Sequence, residues 1–201
     1  GSLFCVAGPE VDMSSSAISL CSNALQQLGD DPIASFALSE GKRARLCGTL
    51  WPQVRDYMLR KHAWPCARKR VILAPEAAAP SFDWGFSFVL PGDWLRTLQV
   101  GQRNHRPNFE LEGRRIYADT NALHLVYVWR NEDPSSWDSL LCDVASAEMC
   151  ARLAYPITQS ASLAQLKRQE ADQMLREAKA IAGQDNEPEE WGDSPFTAVR
   201  Y

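Results

Sequence analysis

The sequence predicts an α+β fold: a four-helix bundle with a small antiparallel β-sheet module inserted between two helical hairpins, followed by an extended C-terminal tail. Three observations predict it. Near both ends of the chain, apolar residues recur at three- and four-residue spacing, the period of a helix with one buried face. In the middle, apolar and polar residues alternate as in a half-buried strand. The chain has 201 residues, 45% of them hydrophobic, which is enough to bury one domain core.

The first helical hairpin is predicted from two apolar stripes. One helix is expected at 14–28, with Ser16 as its N-cap and Gly29 directly after its end. The next is expected at 39–62, where Pro52 predicts a kink or a break into two helices, because proline removes a helix hydrogen bond. The residues of the two stripes are Ile18, Cys21, Leu25, Leu28, Leu46, Cys47, Leu50, Trp51, Val54, Tyr57 and Met58.

The β module is predicted at 71–136. Its clearest sign is Gly113-Arg114 between two short alternating runs, which is typical of a β-hairpin with glycine at a positive φ. Further strands are expected at 84–89 and 123–128, and residues 94–100 are expected to begin as a helical turn and end extended.

The second helical hairpin is predicted at 137–155 and 161–182. Pro156 is expected to end the first of these helices, since it cannot continue the hydrogen-bond ladder. Ser160 is expected to cap the last helix and Gly183 to end it.

The terminal segments are predicted to lie outside the folded domain at 14–183. Residues 1–13 are expected to form a flexible arm, and their short apolar run lacks the preceding basic residue of a secretion signal. Residues 184–201 are acidic and contain apolar anchors without helical or strand periodicity, so we expect a tail that docks on a partner. The proposed docking residues are Trp191, Phe196, Val199 and Tyr201.

Charge is distributed unevenly along the chain. The whole chain carries −4, yet residues 40–70 carry nine Lys or Arg against two Asp or Glu. This basic segment predicts either a surface for an acidic partner or DNA, or a solvated helix face that pairs with the acidic segments. The partner-binding candidates in it are Arg55, Arg60, Lys61, Arg68, Lys69 and Arg70.

The sequence contains no spacing typical of an active site or a metal site. It has no C-x-x-C or H-E-x-x-H pattern, no G-x-S-x-G elbow and no glycine-rich phosphate loop. We therefore expect no enzyme activity, no metal and no cofactor, and the six scattered cysteines favour a reducing compartment. No apolar run approaches the roughly 18 residues of a membrane span. Catalysis would have to use carboxylates, and the candidates are Glu110, Glu112 and Glu148.

Sequence motifs in a fixed order carry a resemblance to a known family. The first group contains Asn23-Ala24-Leu25, Leu28-Gly29 and Ile33. The second contains Cys47, Trp51, Arg55-Asp56, Leu59, His62, Trp64, Ala67, Arg70 and Leu73-Ala74. The third contains Trp84, Phe86, Leu90-Pro91, Asp93 and Leu95-Arg96, with Phe86 where tyrosine is more usual. The last contains Gly113, Ile116, Leu125, Tyr127, Trp137-Asp138, Leu153-Ala154, Pro156-Ile157-Thr158 and Ser160.

Over about residues 14–180 the chain resembles the tail tubular protein A family, the head–tail connector proteins of short-tailed phages. The resemblance implies a structural virion protein with no cofactor or catalytic residue. It implies a ring, commonly of twelve copies, between the portal protein and the tail, through which the double-stranded genome passes. Two functions of other classes stay open at this point: a virion-associated peptidoglycan hydrolase that uses the three glutamates, and a soluble DNA-binding regulator that uses residues 40–70.

Overall fold

The computed structural model describes residues 16–37, 39, 41–102 and 105–184. Within them the chain folds as an α+β domain of four helices and two three-stranded antiparallel sheets. The helices are α1 (Ala17–Gln26), α2 (Lys42–Lys61), α3 (Ser139–Thr158) and α4 (Ala161–Gln184). The strands are β1 (Arg68–Leu73), β2 (Phe86–Val89), β3 (Trp94–Val100), β4 (Phe109–Glu112), β5 (Arg115–Ala118) and β6 (Leu123–Trp129). The predicted arm at 1–13 lies outside the described residues.

The strands form two sheets rather than the single sheet that the sequence predicted. The first sheet has the order β1-β6-β3 and the second the order β2-β5-β4. The β4–β5 hairpin is confirmed, with Gly113 at φ 57° in its turn. The module begins at Arg68 rather than at residue 71, and residues 94–100 are strand throughout. The start of the module and the strand at 94–100 were mispredicted for the same reason. These strands contain polar residues, and the tertiary fold rather than the local sequence decides which strand face is buried.

The core consists of two apolar clusters. In the helical core, α3 contacts each of the other three helices, and Trp51 stacks on Trp137 with ring centroids 5.9 Å apart. The fully buried large side chains there are Leu25, Val54, Met58, Leu59, Trp64, Leu141, Met149 and Leu153. Leu95 and Val128 of the first sheet also pack in this cluster. The second cluster contains buried residues of both sheets, among them Phe88, Ile116, Leu123, Leu125 and Tyr127.

The helix N-termini follow the predicted capping only in part. Ser16 caps α1 in a reciprocal capping box with Ser19, as the sequence indicated. Ser160 likewise accepts a hydrogen bond from the N–H of Leu163 at the start of α4. The predicted start of α2 at residue 39 is wrong, because the helix begins at Lys42 after Gly41, whose φ is 93°.

Proline and glycine end fewer helices than predicted. Pro52 lies inside α2, which is one helix, so the alternative of two helices is wrong. Pro52 is exposed, so water can hydrate the carbonyl that its absent N–H leaves unbonded. Pro156 lies in the last turn of α3, which continues to Thr158, and α4 runs through Gly183. Tertiary packing of these helices outweighs the local preference of a single residue.

None of the helices within the described ranges combines the length and the apolar character that crossing a bilayer requires.

A close backbone approach at Gly101 generates the first prediction. Gly101 has φ 87°, and a Cβ there would lie 2.4 Å from the carbonyl oxygen of His105 and 2.5 Å from Cδ of Pro107. Gly101→Ala should therefore lower the free energy of unfolding by at least about 2 kcal/mol, since a left-handed backbone alone costs about 1–2 kcal/mol. Urea unfolding measures it.

The matched control is Gly113→Ala, at φ 57° with no atom within 4 Å of the added Cβ. It should cost only about 1 kcal/mol, the backbone contribution. Equal losses in the two variants would contradict the close approach.

Candidate functional site

The Arg55-Asp56 motif ties α2 to the end of the first sheet. Nε of Arg55 lies 2.9 Å from Oδ1 of Asp56, and Nη1 of Arg55 lies 3.0 Å from Oε1 of Glu132. Asp56 also accepts a hydrogen bond from Nε of Arg130 at 3.0 Å, directly after β6. Arg55 and Asp56 both lie on α2 and pair with Glu132 and Arg130 after β6, so in this fold they position α2 against the sheet.

Asp93, in the turn before β3, joins both edges of the first sheet. Its carboxylate accepts hydrogen bonds from Nζ of Lys69 at 2.7 Å and from the hydroxyl of Tyr127 at 3.0 Å. Burial opposes ionisation, but these two hydrogen bonds lower the pKa of Asp93 below its usual value. Burial and the bond to Asp93 raise the pKa of Tyr127 to about 12. The Lys69 ammonium also lies 3.9 Å from the centroid of the Trp129 ring.

Glu148 on α3 is a buried carboxylate, 2% exposed, held by arginines from two helices. Nε of Arg152 lies 2.8 Å from its Oε1, and Nη1 of Arg168 on α4 lies 2.9 Å from both carboxylate oxygens. Arg168 in turn donates to Tyr57 on α2 and to Asp172. This network is arranged to fix three helices, and guanidinium groups occupy the oxygens that a hydrolytic mechanism would need free.

Glu110 and Glu112 lie on β4 and are exposed, two residues apart on one face of the second sheet. Glu110 accepts a hydrogen bond from Nε1 of Trp84 at 3.2 Å. Glu76 lies on the same side, where the Arg115 guanidinium and then the Ser87 hydroxyl lower the pKa of its carboxyl. Because β4 is an edge strand, the two glutamates lie on an open surface rather than across a cleft.

The basic residues of 40–70 divide between α2 and β1 instead of lying on one helix face. Arg43 pairs with Asp30 and Asp31, which agrees with the interpretation of a helix face neutralised by acidic segments. Arg55 and Lys69 are also paired, as described above. The others among the partner-binding candidates are exposed: Arg60 and Lys61 at the end of α2, and Arg68 and Arg70 on β1. Thus only part of the candidate surface carries uncompensated charge.

An apolar strip on the second sheet was missed in the sequence. We define it as Phe86, Phe109 and Leu111, which point to the same side of the sheet as the buried Phe88 and Ile116. Phe109 is 44% and Leu111 43% exposed, because β4 extends beyond the core that covers its neighbours. The alternating sequence of β4 predicts that one face of the strand is buried. In the single chain the apolar side chains on that face remain partly exposed.

Of the proposed tail, only Gln184 is described, as the last residue of α4. The four docking residues Trp191, Phe196, Val199 and Tyr201 lie outside the described residues, and their role stays a prediction.

Across the described ranges, no group of three or more His, Cys, Asp or Glu is arranged to hold a metal ion. Cys21, Cys47, Cys66 and Cys150 carry free thiols. One open depression lies among α1, α3 and α4, lined by Asn23, Gln26, Gln27, Asp143, Ser146 and Met174. Another follows β6 and is lined by Gly92, Asp93 and residues 129–133. The second depression contains the Asp93 and Arg130 contacts already described.

In the comparisons with known proteins, no protein-family model and no curated protein matches the chain.

The Glu148 network generates a stability prediction. Glu148→Gln should lower the free energy of unfolding by about 2 kcal/mol, because a neutral amide leaves Arg152 without its counter-charge and Arg168 with Asp172 alone. Chemical denaturation of the purified chain measures it. Asp172→Asn is the matched control, since Asp172 also contacts Arg168 but is exposed, and it should cost less than about 0.5 kcal/mol. Similar losses in both variants would mean that Glu148 does not organise the network.

Asp93 generates a prediction for pH. Its pKa is lower in the folded chain than the ordinary value of 3.8, so it stabilises the fold above that value and loses this contribution as the pH falls through its folded pKa. Asp93→Asn should cost about 1 kcal/mol near pH 6, and the difference from the wild type should shrink towards about pH 3. Unfolding curves at a series of pH values test this. Asp143→Asn, an exposed change on α3, should show no such trend.

Proposed function

We propose that this chain is a structural virion protein, a head-to-tail adaptor that assembles into a ring between the portal protein and the tail of a short-tailed phage. The ring has twelve copies, the number that the family resemblance implies, and double-stranded DNA passes through it. It is assembled in the host cytoplasm and resides in the neck of the virion. The ordered motifs over residues 14–180 support this assignment.

The observation that carries self-association is the apolar strip of Phe86, Phe109 and Leu111. All four residues of β4 are exposed, and β4 is an edge strand with unpaired backbone groups along its outer side. Exposed apolar side chains beside an open sheet edge promote aggregation of a monomer. A second copy that packs on this edge would bury them. The strip therefore supports a role in which copies of the chain bind side by side.

Unlike charges on different surfaces support a ring rather than a symmetric pair. Glu110 and Glu112 lie on β4, on the face opposite to the strip, whereas β1 presents Arg70. A ring requires heterologous contacts, in which one face of a subunit meets a different face of the next. Acidic and basic faces on separate strands supply such a pair, and many identical contacts in a closed ring reinforce one another.

The geometry around the candidate residues argues against the two other functions. A catalytic carboxylate needs access to substrate, whereas Glu148 is buried between two arginines. A DNA-binding regulator would use the basic segment as one surface, whereas Arg43, Arg55 and Lys69 are paired with carboxylates of the same chain. The proposed adaptor requires neither an accessible catalytic carboxylate nor a single continuous basic surface.

In this proposal the tail binds the portal protein or a neighbouring subunit through Trp191, Phe196, Val199 and Tyr201. A segment that orders only on its partner combines specificity with modest affinity. Removing residues 187–201 should abolish binding to purified portal protein while leaving the fold unchanged.

The assembly prediction uses the apolar strip. The purified chain should form rings in negative-stain images and a matching mass by light scattering, and Phe109→Ser with Leu111→Ser should leave it monomeric, because both changes remove apolar area from the contact. The control is Phe82→Ser, which removes a more exposed aromatic side chain from the loop before β2. Rings that survive the double change but not the control would contradict the role of the strip.

A further inference from the structure

A cluster of positive side chains lies between the first sheet and the helices. Arg68 on β1 and Arg96 on β3 are both cross-strand partners of Val128 on the central strand β6. The side chain of Val128 packs in the helical core, so this row of the sheet faces the helices. His62 at the end of α2 and Lys179 on α4 complete the group. We name Arg68, Arg96 and Lys179 around His62 the cationic cluster.

The positive charges of the cluster all act on His62. Burial lowers the pKa of the His62 imidazole, and the charges of Lys179, Arg96 and Arg68 lower it further. No acidic group is among the causes. Three like charges that act on one half-buried ring repel one another, and an anion placed among them would relieve that repulsion.

Two nitrogen atoms of the cluster, one of them the Nε donor of Arg96, also lack a hydrogen-bond partner among the described residues. Within the part of the chain that the structure describes, Nε of Arg96 and Nε2 of His62 are buried without a partner. No described carboxylate forms an ion pair with Arg68, Arg96 or Lys179, whereas eight other basic side chains in the same ranges do form one. Buried donors are normally satisfied, so the cluster is built to receive acceptor groups from outside the described residues.

The chain itself carries the matching acceptors at the right place. Lys179 is five residues from the end of α4 at Gln184, about 7.5 Å along the helix axis. The 17 residues that follow contain five acidic residues and one basic residue. An extended chain spans about 3.4 Å per residue, so residues 185–190 reach about 20 Å from the helix end. The acidic residues are Asp185, Glu187, Glu189, Glu190 and Asp193.

We propose that the carboxylates of residues 185–190 occupy the cationic cluster of the same chain and pair with Arg68 and Arg96. The guanidinium groups supply paired donors that fit a carboxylate, and the tether gives these carboxylates a high effective concentration at the cluster. A DNA phosphate offers similar acceptor oxygens but lacks this tether. The contact anchors the beginning of the tail on the first sheet.

Carbodiimide cross-linking of the full-length chain tests the proposal. Arg68→Lys places an amine in the cluster, and carbodiimide joins an amine to a carboxylate only where the two are in contact. Mass spectrometry should find the new amine linked to residues 185–190. Arg45→Lys is the matched control: it is an exposed arginine near the other end of α2, and its amine should form no such link. Circular dichroism verifies that both variants fold.

An equal mixture of ¹⁵N-labelled and unlabelled chains distinguishes binding within one chain from binding between chains. We expect cross-links only between peptides that carry the same label. Absence of the link in a folded Arg68→Lys chain would overturn the proposal. A prevalence of mixed-label links would also overturn it, because the acidic segment would then bind a neighbouring copy.

The NMR titration of His62 supplies a second readout without any change in the cluster. Glu187→Gln with Glu189→Gln should lower the measured pKa of His62 relative to the wild type, because negative charge leaves its surroundings. Glu112→Gln with Asp143→Asn removes two exposed charges elsewhere and should leave this pKa unchanged. If all three chains titrate alike and a DNA duplex raises the pKa in each, the cluster binds phosphates and the proposal is wrong.

Discussion

The burial of α3 is the constraint on which the rest of the structure depends. Residues 141–150 of this helix are buried with the exception of Asp143, so α3 has almost no face left for solvent. A helix that is apolar nearly all round has to be covered on every side, and α1, α2 and α4 provide that cover. The buried charged residue of α3, Glu148, fixes how they do so, because its arginine partners lie on α3 and α4 and the network extends to Tyr57 on α2. Apolar burial supplies the stabilisation, and the ionic network selects one arrangement of the helices.

The sheets are attached to this bundle through charged contacts at one end. Asp56 holds Arg130 where the chain leaves β6, and the backbone N–H of Arg130 donates to the carbonyl of Asp93, which lies before β3. Leu95 and Val128 extend the apolar contact between the first sheet and the helices. The second sheet packs on the far side of the first, through a separate cluster. All four residues of its edge strand β4 are exposed, which explains why the apolar strip lies there.

Features that depend on local spacing were predictable from the sequence, and features set by tertiary contacts were not. The four helices, the hairpin at Gly113 and the caps at Ser16 and Ser160 follow from periodicity and from side chains that bond their own backbone. Pro156 failed as a stop signal because packing against neighbouring helices outweighs one unfavourable residue, and α4 also runs through the exposed Gly183. The division of the strands between two sheets could not be predicted from the sequence, since strand pairing joins residues far apart in sequence. For the same reason the sequence did not indicate that Arg96 and Lys179 belong to one cluster, because only the fold brings them to His62.

The basic segment illustrates why net charge along a sequence is a poor guide to a binding surface. Its excess of positive charge divides in the fold into two populations with different consequences. Residues such as Arg43, Arg55 and Lys69 meet carboxylates of neighbouring elements and act as structural ties. Arg68 belongs to the other population, which the first sheet gathers with cations from β3 and α4, and there the described chain supplies no counter-charge. A surface that recognises anions is defined by this second population, because only charges that the fold leaves uncompensated can gain energy from a further partner.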